Sequence, residues 1–233
     1  MGALAAAALL GLGATVASAS ADATACGQGS GSNRYAYAGA QASTAAHGVR
    51  ATITPLVAAP VTSGHVAAWV GVGGWDSGPR GADAWLQTGV ASLPDEALLL
   101  YAEVMRVGAA TPSFMELRSG VEIGESHRLA VLEVGGRPNW WRVWVDGRAA
   151  TKPMHLPGSS GSWTPVATAE SQTTGGQACP AFSFRFTSVQ VAGGLGGSWQ
   201  VLAPGRRILD GGYRLRILSP GGRSAFSFEA SSR

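Results

Sequence analysis

From residue 33 onward the chain is cut into short runs in which apolar and polar side chains alternate, and turn residues separate one run from the next. A period of two is the signature of strands with one face buried. The expected strands are 34–41, 48–56, 65–73, 83–91, 97–107, 114–118, 127–135, 139–146, 148–155, 163–171, 182–192, 198–203, 212–218 and 224–230. Val145-Asp146-Gly147-Arg148 predicts a two-residue hairpin, because Asp-Gly tolerates the positive φ of a type I′ turn. Gly135 to Asn139, Gly158 to Gly161 and Thr174 to Gly176 read as further breaks. No segment holds a 3.6-residue period over ten positions. Leu93 to Met105 comes closest, and its strand-like neighbours on both sides assign it to a strand. So many short antiparallel strands imply an all-β, antiparallel two-sheet β-sandwich or jelly roll.

Composition supports that class and narrows the function. Charged residues are 13% and hydrophobic residues 45%, which excludes a coiled coil and a solvated disordered chain. The net charge of +3 is uneven. Residues 206–233 carry Arg206, Arg207, Arg214, Arg216, Arg223 and Arg233 against Asp210 and Glu229, hence +4, which leaves −1 for the rest. No compact basic stripe crosses the main body in sequence, so nucleic acid is not an expected partner.

Residues 1–20 carry no charge. An apolar run from Leu4 to Val16 precedes Ala17-Ser18-Ala19 and Ala19-Ser20-Ala21, the small residues a signal peptidase accepts. The run is too short and too rich in Gly and Ala for a membrane span. A signal peptide over 1–20 and a secreted, extracellular product are expected; the plainer alternative is a disordered Ala-rich N-terminus. An exported chain with two cysteines, Cys26 and Cys179, is expected to join them in a disulfide, tethering the segment 21–47 to the body.

In 65–73, Val66, Ala68, Val70 and Val72 share one face, with Trp69 on the other. In 83–91, Leu86, Thr88 and Val90 oppose Trp85 and Gln87; in 97–105, Leu98, Leu100, Ala102 and Val104 oppose Tyr101 and Glu103. The aliphatic faces are expected in the inter-sheet core. The opposite faces would line a groove for an extended polymer, with packing of Trp69 and Trp85 beneath loops as the structural alternative.

Few residues suggest chemistry by pattern. No Gly-x-Ser-x-Gly elbow, CxxC, HExxH or Glu-x-Asp-x-Glu occurs, and no metal or cofactor is implied. His47, His65, His127 and His155 are scattered and are expected as satisfied surface or strand-end residues. Two isolated carboxylates on expected strands stand out, Glu103 and Glu170.

Trp69-Val70-Gly71-Val72-Gly73-Gly74, Leu86-Gln87-Thr88-Gly89-Val90, Tyr101-Ala102-Glu103 and Ala169-Glu170 resemble, in order and spacing, the glutamic peptidases or eqolisins. The resemblance covers roughly residues 48–193, leaving 194–233 as an Arg-containing C-terminal β extension. It implies a concanavalin-like sandwich and a catalytic pair on Gln87 and Glu170. Trp69 would line the substrate groove with Trp85 and Tyr101, and Glu103 would support the pair. The implied activity is a secreted endopeptidase, acting as a monomer without cofactor on a polypeptide held in an extended groove. Two rival readings stand beside it. One is a non-catalytic module of the same fold that binds carbohydrate or peptide. The other is a jelly-roll glycoside hydrolase using Glu103 and Glu170, which requires a defined spacing between two carboxyl groups.

Overall fold

The computed structural model describes residues 33–58, 61–174, 180–221 and 225–232. Cys26, Cys179 and residues 1–32 lie outside them, so the disulfide and the signal peptide have no structural counterpart here. The strands are β1 (Asn33–Ala42), β2 (Gly48–Ala58), β3 (His65–Gly74), β4 (Ala84–Ser92), β5 (Leu99–Met105), β6 (Ser113–Arg118), β7 (His127–Glu133) and β8 (Trp140–Val145). They continue with β9 (Arg148–Ala149), β10 (Met154–His155), β11 (Pro165–Thr174), β12 (Phe182–Ala192), β13 (Trp199–Val201), β14 (Pro204–Leu209), β15 (Tyr213–Pro220) and β16 (Phe226–Ser232).

They form two antiparallel sheets. Sheet A has the order β14-β1-β11-β3-β4-β5-β6; sheet B runs β10-β8-β7-β2-β12-β16-β15, with β13 on β12 and β9 on β8. The all-β sandwich read from the alternation is the observed architecture. The Asp146-Gly147 turn has φ of 51° and 82°, as a two-residue hairpin demands, and joins β8 to β9.

The two inner faces differ in size. Sheet A presents small side chains, Ala36, Ala38 and Ala40 on β1, Ala68 on β3, Ala102 on β5, and Ala167 and Ala169 on β11, all buried. Sheet B answers with Phe184, Phe186, Phe226, Phe228, Trp141 and Tyr213, also buried. Small residues facing large ones fill the interlayer space without voids. Each fully buried Phe contributes roughly 1.5–3 kcal/mol of transfer free energy. Phe186 and Phe228, directly paired across β12 and β16, stack with centroids 4.5 Å apart.

The structure departs from the expected segmentation in three places. The segment 148–155 is two short strands, because Pro153 has no N–H for a ladder and Thr151 Oγ1 accepts the Val143 N–H instead. β14 falls outside the expected strands; it sits at a sheet edge, where the donor that Pro204 lacks costs no ladder bond. The terminal segments are not peripheral. β1 lies between β14 and β11, and β16 supplies Phe226 and Phe228 to the core, so residues 33–42 and 226–232 are integral to the sandwich.

Gly89 shows how tightly the outer face of sheet A is drawn together. A Cβ there would lie 2.3 Å from Ala68 O, 2.7 Å from Trp69 Cβ and 2.9 Å from Tyr101 Cε1. Gly89→Ala is therefore expected to destabilise the fold by about 1–3 kcal/mol, the usual cost of overpacking. Urea unfolding would read it, and an unchanged midpoint would mean that β3 and β5 yield freely.

Candidate active site

The outer face of sheet A carries a groove of about 680 Å³. Its floor follows from strand parity. Alternate residues of β3 (His65, Trp69), β4 (Trp85, Gln87), β5 (Tyr101, Glu103) and β11 (Thr168, Glu170) all line it. Trp69, Trp85, Tyr101, Gln87 and Glu103, expected from the alternation to share a face, do share one, and Glu170 of β11 lies in the same groove. Register places Gln87 opposite Glu103, and Trp69 between Thr168 and Gly89.

Glu170 is buried at the groove floor and both of its oxygens are engaged. Trp69 Nε1 donates to Oε2 at 2.8 Å, and His65 Nε2 lies 2.9 Å from Oε1. Two partners on separate oxygens fix the carboxylate plane. His65 itself feels opposing influences. Burial disfavours its cation, but the bond and charge of Glu170, aided by Glu103 and Gln172, hold its pKa above the ordinary value. The His65 imidazole should accordingly titrate above the usual histidine range, and Glu170→Gln should bring that titration down. An NMR pH titration reads both, and a His65 curve indifferent to the substitution would mean that the pair does not form in solution.

Glu103 forms a second centre. Its Oε1 accepts the Trp85 indole N–H at 2.9 Å and the Gln87 amide N–H at 3.3 Å. Burial raises the Glu103 pKa; the Trp85 bond works against that rise, and the charge of Glu170 adds to it. Gln87 Nε2 also donates to Tyr101 Oη at 3.4 Å. Burial, then the charges of Glu170 and Glu103, push the Tyr101 phenol well above its usual range, so it stays protonated. Tyr101 stacks on Phe114 of β6, centroids 5.2 Å apart. No direct hydrogen bond joins Gln87 to Glu170 among the described residues. Both open into the same groove, each tied to a different tryptophan.

Four contributors escaped the sequence reading. His65, expected as a satisfied strand-end histidine, instead contacts Glu170; its parity with Trp69, four residues on, is the signal that marked the face. Tyr35 and Tyr37 of β1 stack on one another 6.5 Å apart and line the groove beside Glu170, on a segment placed outside the sandwich by the resemblance. Trp75, two-thirds exposed on the loop after β3, packs against Trp85 with centroids 5.2 Å apart. No local pattern points to it.

The groove thus combines a doubly held carboxylate, a second carboxylate with a raised pKa, a side-chain amide between them and aromatic walls. Such a set can activate water, donate to an oxyanion and grip an extended chain. No protein-family model matches the sequence, and no curated protein matches it either. Solved structures do match in shape. The scytalido-glutamic peptidase, solved with a transition-state analogue inhibitor, superposes with a TM-score of 0.55 at 16% identity, covering 86% of this chain and 100% of that one. SCP-B, an eqolisin-family peptidase in complex with the tripeptide Ala-Ile-His, gives 0.52 at 17% identity with the same coverage. The chain shares the two-sheet sandwich fold of these glutamic peptidases.

Proposed function

We propose that this chain is an endopeptidase in which Glu170 activates water and Gln87 stabilises the oxyanion. The observation that carries the reading is Glu170, held through both oxygens by Trp69 and His65 on the floor of a groove that also contains Gln87. The likeness in fold to two peptidases supports it. An extended peptide would lie across sheet A between the Tyr35/Tyr37 and Trp75/Trp85 walls. Ionised Glu170 takes a proton from water as the oxygen attacks the scissile carbonyl, then returns that proton to the departing amine. The Gln87 amide donates to the carbonyl oxygen as its charge develops. The amide bonds to Glu103 and Tyr101 are long, at 3.3 and 3.4 Å, and are readily exchanged for one to the oxyanion.

Glu103 sets the orientation of that amide. Ionised, it accepts from the Gln87 NH₂ and withholds it from the substrate carbonyl. Protonated, its O–H can donate to Gln87 Oε1, so that the amide turns and presents its NH₂ to substrate. Because burial raises the Glu103 pKa, the protonated form prevails to higher pH than for an ordinary glutamate. The proposal therefore places the optimum on the acid side of neutrality. Export as a monomer, with a Cys26–Cys179 disulfide formed after loss of residues 1–20, belongs to the same reading. Intact mass of secreted protein tests it, and two free thiols would remove the disulfide.

A second reading has its own support. Two carboxylates in one groove, one with a raised pKa, also describe a glycosidase acid and its partner. Incubating the folded protein with denatured polypeptides and with soluble glycans, from strongly acid to neutral pH, separates the cases. Peptide cleavage supports the proposal and glycan cleavage replaces it. Binding without cleavage of either leaves a carbohydrate- or peptide-binding module.

A further inference from the structure

The outer face of sheet B, across the sandwich from the groove, gathers arginines far apart in sequence. Register sets Thr52 of β2 opposite both Thr187 of β12 and Arg128 of β7, and Arg50 opposite Gln190. Between them lies a polar cavity of about 250 Å³ lined by Arg50, Thr52, Arg128, Ser188 and Gln190. A bulge in β12 between Thr187 and Gln190, with Ser188 at φ 52°, brings Ser188 to the rim.

The charges here are unbalanced. The arginine ion pairs among the described residues belong to Arg118, Arg185 and Arg216; neither Arg50 nor Arg128 has a carboxylate within 4.0 Å. Asp146, on the turn beside Arg128, already accepts from the Arg128 backbone N–H and pairs with His127 Nδ1. Arg50 is held in place, its Nε donating to Gln190 Oε1 at 2.7 Å and its guanidinium lying 4.2 Å over the Trp199 ring. Among the described residues, the terminal nitrogens of Arg50 have no hydrogen-bonded acceptor. Burial and the charge of Arg128 both act against the Arg50 cation, which a bound anion would relieve.

We propose that this cavity binds a tetrahedral oxyanion, a phosphate or sulfate group, between Arg50 and Arg128. Two guanidinium forks with the hydroxyls of Thr52 and Ser188 bring donors from three strands. Such a set suits a group with three or more free oxygens better than the two of a carboxylate. The site sits on the sheet opposite the groove, so an ester borne on a polymer could anchor the protein while the groove stays open. It stands independently of the peptidase reading.

The test titrates the full chain with inorganic phosphate, inorganic sulfate and acetate, following the backbone amide signals of Thr52, Ser188 and Gln190, which every variant retains, by NMR. Phosphate and sulfate should give saturable shifts and acetate a weaker response. The double substitution Arg50→Gln with Arg128→Gln should weaken binding about tenfold or more, as expected for lost charge-assisted bonds. Arg216→Gln, on the same face but paired to Glu229 at 2.9 Å, should change it by less than about twofold. Circular dichroism of each variant controls for folding. Dextran sulfate against inorganic sulfate distinguishes the source: tighter binding per sulfate assigns a polymer-borne ester, equal binding a free ion, and both uphold the pocket. The absence of a saturable shift with either inorganic ion overturns the proposal. Equal losses in the Arg216 variant and the double variant would also overturn it, showing only a diffuse basic field.

Discussion

Glu170→Gln is expected to lower peptide hydrolysis by at least about 10²–10⁴-fold, the loss that follows removal of a positioned general base. The substitution keeps size and shape. The amide oxygen can still accept from Trp69 Nε1, now at 2.8 Å from Glu170, and the amide NH₂ can donate to the Nε2 of a neutral His65. What disappears is the ability to take a proton from water and return it to an amine. Stability should therefore change little while turnover collapses. Single-turnover cleavage of an internally quenched peptide, beside thermal unfolding of the same preparation, checks both halves. Full activity in the folded variant would take Glu170 out of the mechanism and move attention to Glu103 as the sole carboxylate in the groove.

How much of this was legible beforehand depended on whether the physics was local. Strand parity is local, so the shared face of Trp69, Trp85, Gln87, Tyr101 and Glu103 could be read before any pairing was known. The small side chains of sheet A and the phenylalanines of sheet B were legible as apolar faces, but not as partners, because nothing in a strand states which sheet it faces. The histidines show the limit best. His47 pairs with Glu133, His127 with Asp146, and His155 stacks on Trp140 at 5.0 Å, all satisfied positions as expected. His65 breaks the pattern because β11, 105 residues further on, brings Glu170 beside β3. The same nonlocality hid the Arg50–Arg128 pocket. The charges counted along the chain show no basic stripe, whereas register across β2 and β7 brings Arg50 and Arg128 to one pocket. β14 was hidden for another reason: Pro204 and Gly205 are breakers in a central strand and harmless at an edge.

Gln87→Ala should cost about 10²–10³-fold in turnover, the range for loss of one oxyanion donor, with substrate affinity less affected because the donor acts on charge that develops only in the transition state. A companion substitution separates the oxyanion role from simple packing. In the wild type, rising pH ionises Glu103, which then accepts from the Gln87 NH₂ and withholds it from the substrate carbonyl; activity should fall on that side. Because the Glu103 pKa is raised by burial, this fall begins at a higher pH than an ordinary glutamate would impose. Glu103→Gln substitutes a side chain that never ionises. Its carbonyl can keep the Trp85 bond while its NH₂ donates to Gln87 Oε1, holding the amide in the orientation that serves the substrate. The variant should extend activity toward neutral pH. In the Gln87→Ala background the same change should have no effect on the neutral limb, because no amide remains to be turned. A neutral limb that stays where it is in Glu103→Gln would show that Glu103 does not govern Gln87, even if Gln87→Ala is as slow as expected.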